Sequence, residues 1–303
     1  MEIELDRGRI LGGLEQIWTE WADWADGLSA EQWATPSRCP GWSVQDNLAH
    51  IVGTERMLQG QGAPEVEASG EHVRNPAGAG NERWVESMRS MSGPEVLEAF
   101  RVVTAERLAE LAAMSDEEIL AVGWSPVGEV PYLRFMHVRV YDAWLHLEDC
   151  RAPLGHDPAG GGLPSEMAVA EVTTVAGYVI GKKAGAPDGS RVEVNLTGPV
   201  ATVIRVAVDG RAALVDSFDA EPTATLTLSS NDWLALTGGR VDPADFDLGA
   251  RIGGPLDPDE AAHQVAVVRE TLEETGLAIG LSGEIDADKA RAARSFLQQT
   301  GEL

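Results

Sequence analysis

The sequence predicts a bundle of α-helices followed by a smaller α+β domain. Three observations lead there. Apolar residues recur at helical spacing through about residue 151, and alternate as in strands beyond Gly162. The segment 152–164, with Gly160, Gly161 and Gly162 in a row, has the composition of a linker. A chain of 303 residues, 44% hydrophobic and 24% charged, has the length and composition of about two ordinary soluble domains. The expected boundaries are 1–155 for the bundle and 165–303 for the α+β domain.

A first helix is expected over about 3–28, where Ile3, Ile10, Leu11, Leu14, Ile17, Trp18, Trp21 and Leu28 fall at helical spacing. Trp24 continues the tryptophan spacing, which reads as core packing, with a stacking pocket as the alternative. After a connection at 29–41, Ser43 is placed to cap a helix over about 44–60. Gly, Ala, Pro and Glu dominate 62–80, which reads as a loop. Helical spacing returns over about 81–91 and 94–114, and a turn at 123–131 leads into a helix over about 132–151. These segments make four principal helices, as in an up-and-down bundle. Beyond the linker, a helix over about 165–183 precedes alternating runs at 191–197, 202–208, 212–215 and 224–228. A short helix follows at 231–237. The tail carries a helix over about 259–275, an apolar run at 277–281 and a last helix over about 286–299.

Lys and Arg number 23 against 49 Asp and Glu, a formal net charge of −26. So acidic a surface repels phosphate backbones and anionic lipid, so neither nucleic acid nor a membrane surface is an expected partner. No apolar run nears the roughly 20 residues that cross a bilayer. Cys39 and Cys150 are too few for a disulfide framework, and the start Met1-Glu-Ile-Glu-Leu-Asp is acidic where a secretory leader is basic. The expectation is a cytoplasmic protein.

Chemistry enters with histidine. His50 lies mid-helix, and Asp142 and His146 lie one turn apart in the helix over 132–151. At about 100° per residue the latter two are about 40° apart on one face. Asp149 shares that face, whereas His137 falls about 180° from His146 and is excluded from any site there. A carboxylate and an imidazole one turn apart supply two metal ligands. A third from a neighbouring helix leaves positions open for substrate or water. The alternative is a histidine simply hydrogen-bonded to Asp142.

The stretch Trp33-Ala-Thr-Pro-Ser-Arg-Cys-Pro-Gly-Trp42-Ser43-Val-Gln-Asp46-Asn-Leu-Ala-His50-Ile resembles the N-terminal domain of the mycothiol-dependent maleylpyruvate isomerase family. That family belongs to the DinB-like group of metal-binding four-helix bundles. The run from Pro40 to His50 is its most specific motif. Asp142-x-x-x-His146-x-x-Asp149 is similar to its second, where a glutamate or histidine usually stands four residues before the histidine. The resemblance covers about 1–240. It implies His50, Asp142 and His146 as ligands of a divalent metal, usually zinc, with Asp142 one methylene shorter than glutamate. Asp149 would orient His146. It also implies mycothiol, or a similar low-molecular-weight thiol, held as thiolate to attack an electrophilic carbon. Isomerases then expel the thiol, and transferases keep the adduct. In the family the second domain leans over the bundle and contributes a residue to the site. Arg240, in Gly238-Gly239-Arg240, is the candidate catalytic group, its guanidinium fork suited to a carboxylate-bearing substrate. The alternative for Arg240 is a surface pair with Asp242 or Asp245. Cys39, two residues before Gly41-Trp42, reads as a structural loop residue, with a place near the metal as the alternative.

A second resemblance lies in the tail. Arg269-Glu270-Thr271-Leu272-Glu273-Glu274-Thr275-Gly276-Leu277 resembles the core of the Nudix box, and 238–245 resembles the opening of actinobacterial Nudix hydrolases. Glu270, Glu273 and Glu274 form an acidic helix face that can hold Mg²⁺ against a diphosphate. Only 277–281 supplies a strand after the box, and the alternative is a solvated acidic helix. The expectation is a tail of Nudix-like origin that completes the second domain. Three functions follow: a metal-dependent thiol isomerase or S-transferase, a Mg²⁺-dependent pyrophosphohydrolase, and a non-enzymatic binder with a vestigial metal site.

Overall fold

The structure, a computed structural model, describes residues 3–183, 185–241 and 252–253. Helix α1 (Arg7–Asp26) is capped by Asp6, whose carboxylate accepts from Arg9 N. A single turn, α2 (Ala30–Trp33), opens on Ser29 and Gln32 in a capping box. It falls within the expected connection, because four residues are too few to show a period. In α3 (Val44–Leu58) the Ser43 hydroxyl accepts from Asp46 N while the Asp46 carboxylate accepts from Ser43 N. Helix α4 (Pro76–Met88) is capped by Asn75 and starts ahead of the expected 81, because Gly78 and Gly80 leave no apolar signal in its first turns. It is followed by α5 (Gly93–Ala113) and the short α6 (Asp116–Ile119). The expected turn at 123–131 is a hairpin of β1 (Val122–Ser125) and β2 (Gly128–Pro131), which among the described residues pair only with each other. It leads straight into α7 (Tyr132–Arg151).

Helix α1 packs on α5 and α7, and α3 on α4, α5 and α7. Leu14, Ile17, Trp21, Leu48, Ile51, Phe100, Val140 and Trp144 fill the space between them. Trp21 Nε1 donates to Ala143 O at 2.8 Å, so this buried indole keeps its hydrogen bond. Helix α7 is buried on almost every side. That places Arg139, Asp142, His146 and Asp149 in the interior, where each charge needs a partner.

Past the linker, α8 (Leu163–Thr173) packs back on α1 and α7. The helix expected over 165–183 is broken. A β-branched run from Val172 to Val175 ends α8, and α9 (Ala176–Tyr178) passes into a π-helical turn, Val179–Lys183. Five strands follow: β3 (Arg191–Thr197), β4 (Thr202–Asp209), β5 (Arg211–Leu214), β6 (Ala224–Ser229) and β7 (Ile252–Gly253). Their order is β5-β4-β3-β6-β7, with β3 and β6 parallel and the other pairs antiparallel. Val194 and Leu196 of β3 are buried with Ile204 and Val206 of β4 and Leu228 of β6. Between β6 and β7, α10 (Ser230–Thr237) is capped by Ser229. The tail helices, the run at 277–281 and the Nudix-like box lie outside the described residues.

Candidate metal centre

Two core helices bring the predicted ligands together. His50 projects from the middle of α3, and Asp142 and His146 from one face of α7. Asp142 Oδ2 lies 3.5 Å from His50 Nε2, and Asp142 Oδ1 lies 3.6 Å from His146 Nε2. One ligand atom from each of the three lies within 4.8 Å of the others. The His50 and His146 rings meet edge to face, centroids 4.9 Å apart. All three side chains are buried. His137 sits elsewhere, its Nδ1 paired at 2.9 Å with Glu171 of α8.

A second ligand set, Cys39, His146 and Asp149, also occurs among the described residues and shares His146. The two faces of that imidazole differ. Nδ1 is 3.2 Å from Asp149 Oδ2 and 3.5 Å from the Cys39 sulfur. Cys39 donates its S–H to Asp149 Oδ2 at 3.1 Å, and burial pushes the thiol pKa up. Asp149 also receives Arg240, with Nε on Oδ1 at 2.7 Å and Nη2 on Oδ2 at 2.9 Å. A protonated thiol and a guanidinium already satisfy this side. The Nδ1 face of His146 is therefore the oriented face, and Nε2 is directed at Asp142 and His50.

The electrostatics agree. Burial holds His50 below the ordinary imidazole value, which keeps a lone pair free for a ligand bond. Neither His50 nitrogen has a hydrogen-bond partner, an expensive state for a buried polar ring. Burial opposes the charge of Asp142, but Arg139, His146 and His50 hold its carboxyl well below the usual range. Burial likewise opposes charge on His146, yet the carboxylates of Asp142 and Asp149 raise it well above the usual value. The pocket thus favours positive charge between Asp142 and the two rings. Two imidazoles and a carboxylate suit zinc, and the unpartnered His50 is the atom set a cation would satisfy.

Groups that the sequence analysis did not single out surround these ligands. Arg139, one turn before Asp142, donates Nη1 to its Oδ2 and Nε to Glu55 Oε1 at 2.9 Å. Glu55 is completed by Arg107 Nε at 3.1 Å. The Trp42 indole covers both rings, 5.1 Å from His50 and 6.0 Å from His146 between centroids. The loop holding Cys39 and Trp42 is closed by a Pro36–Ser43 bridge and tied to α7 by Arg38 N donating to Asp149 O. Only the spacing of Arg139 from Asp142 on one helix was available as a signal. Arg240 is held at the end of α10 by a Schellman motif. Gly239 has φ +65°, Gly239 N donates to Leu236 O, and Arg240 N donates to Ala235 O. The guanidinium points into the bundle, onto Asp149.

Comparison with known proteins fits this architecture. Residues 14–151 match the family described as mycothiol maleylpyruvate isomerase N-terminal domain, and 166–258 match the MDMPI C-terminal domain. Together they cover about three quarters of the chain. Two uncharacterized proteins from strains of Mycobacterium tuberculosis are 28% identical over 131 residues, 42% of this chain. That match spans about half, 49%, of the length of these curated relatives. A crystal structure of the mycothiol-dependent maleylpyruvate isomerase superposes with a TM-score of 0.53, covering 78% of this chain and 91% of that one. At 15% identity, that likeness concerns the fold.

Proposed function

The chain belongs to the mycothiol maleylpyruvate isomerase family, and we propose that it catalyses metal-dependent thiol chemistry on a small, carboxylate-bearing electrophile. The observation that carries this reading is the convergence of His50, Asp142 and His146, with both His50 nitrogens buried and neither hydrogen-bonded. These three side chains hold the metal, zinc by preference. A metal held there would supply Lewis-acid stabilisation of a mycothiol-type thiol in its nucleophilic thiolate form.

The chain's own groups do the rest. Arg139 fixes Asp142, and Asp149 fixes the His146 ring. Trp42 shields both imidazoles from water. Arg240 is the proposed catalytic cation. Nε and Nη2 grip Asp149, and Nη1 donates to Gly238 O at 2.8 Å. A guanidinium carries five N–H groups, so Nη1 has a second one to offer a substrate carboxylate. The family match ends at residue 258, ahead of the Nudix-like box, and no observation favours pyrophosphate chemistry.

Zinc-loaded protein assayed with maleylpyruvate tests the reading. Turnover should require an added low-molecular-weight thiol and stop on chelation. The product mixture separates the two outcomes: an isomer with the thiol returned, or a stable thiol adduct. Zinc-loaded protein that turns over no such electrophile with any thiol leaves the binding-protein reading in its place.

A further inference from the structure

We propose that His72 is a latch on the metal pocket, and that the connection of residues 60–75 between α3 and α4 is the lid it fastens. The inference rests on the pocket being the place of thiol chemistry. His50, Asp142 and His146 are only 2–3% exposed. A thiol and an electrophile reach them only if a wall moves. The ligands themselves stand on core helices, and Arg240 with Asp149 ties down the side facing the second domain. Among the described residues, the wall left is the indole of Trp42, which rides on a loop and covers both rings.

Trp42 is held from outside by one buried carboxylate. Its Nε1 donates to Glu82 Oε2 at 2.8 Å. The same oxygen lies 2.9 Å from His72 Nε2, and Arg89 Nη2 meets Glu82 Oε1 at 2.9 Å. The His72 ring is seated in a slot between two glycines. A Cβ on Gly41 would fall 2.3 Å from its Nδ1, and one on Gly70 2.4 Å from its Cε1. Both glycines have positive φ, +80° and +125°, so backbone conformation and space each exclude a larger residue. His72 therefore touches the residue before Trp42 and also the carboxylate that anchors Trp42. Withdrawing it loosens both holds together. The rest of the connection is mostly exposed, and connections of this length commonly serve as lids.

Cys39 reports on the latch. It lies three residues before Trp42, touches His146 and is 1% exposed, while Cys150, 0% exposed in α7, is an internal reference. Native full-length protein is alkylated with iodoacetamide, and the labelling rate of each cysteine is read by peptide mass. His72→Ala should speed Cys39 labelling roughly tenfold or more, as expected for losing a hydrogen bond to a buried carboxylate. Cys150 labelling and the thermal midpoint should stay near wild type. His72→Gln, which keeps a donor for Glu82, should restore slow labelling. Gly70→Ala should mimic His72→Ala by unseating the ring, which keeps the test open if His72→Ala does not fold. Unchanged Cys39 labelling in both variants, or Cys39 and Cys150 rising together, would overturn the latch. Zinc content is measured on the same samples. Its absence would count against the thiol-chemistry reading, and the labelling rates would still judge the latch.

Discussion

Asp142 faces two demands at once: its Oδ1 meets His146 Nε2, and its Oδ2 meets both His50 Nε2 and the guanidinium of Arg139. Arg139 keeps the short side chain in place through Glu55, which also binds Arg107. Replacing Glu55 with Gln removes the buried carboxylate that two guanidinium groups share, leaving Arg139 with Asp142 and Arg107 with the exposed Glu110. The expected loss is about 3–5 kcal/mol in urea unfolding, the range for breaking a buried ion pair. Asp149→Asn acts differently, because it touches no ligand atom on the metal side. It should weaken zinc binding by about 10–100-fold in a competition titration, through the loss of orientation at His146 Nδ1. The meeting of Asp142 with His146 was legible because a helix fixes i, i+4 geometry, and His50 was placed beside them by the family resemblance. Arg139 was not legible, and Cys39 was weighed near the metal but read as a loop residue, because their roles depend on which neighbours packing brings to them. The expectation for Arg240 did not anticipate its main contact. Asp242 and Asp245 were considered as partners, yet Asp149, remote in sequence, receives its fork.

At the scale of elements, short sequence signals governed starts and stops. Ser43 caps α3 as predicted, in a capping box with Asp46, and Gly239 ends α10 in the left-handed conformation that aims Arg240. Gly239→Ala should cost about 1–2 kcal/mol of stability for its positive φ, and it should also lower turnover by moving Arg240. Arg240→Lys isolates the side chain. The variant should keep its zinc and its fold but lose most turnover, since an ammonium cannot grip Asp149 and a carboxylate with one planar fork. Unchanged turnover would end the catalytic role of Arg240. The first turns of α4 and the break after α8 were hidden, one by glycine without apolar pattern, the other by β-branched residues that still show helical spacing. Strand positions were clear from alternation. Their order was not, because the parallel pairing of β3 with β6 is a long-range choice that period-2 patterning does not encode.

Across the whole molecule, the second half is bound to the bundle by polar contacts on α8 as well as by apolar packing. Glu171 accepts from Arg134 and pairs with His137, and Trp144 Nε1 donates to Ser165. Burial would raise the Glu171 carboxyl, but His137 and Arg134 hold it below its ordinary value. The folded state therefore binds fewer protons at this site than the unfolded one. Its contribution is complete above the unfolded value, about 4.5, and is lost as the pH falls further. Wild type should lose its thermal-stability advantage over Glu171→Gln as acid is added below that point, and a constant gap would contradict the assignment. The metal centre makes the sharpest claim of all, and elemental analysis of purified, zinc-equilibrated protein tests it most directly. Wild type and His137→Ala should each carry about one zinc per chain, and His50→Ala should carry almost none. Zinc retained at full stoichiometry in a folded His50→Ala chain, or missing from wild type, would contradict the account.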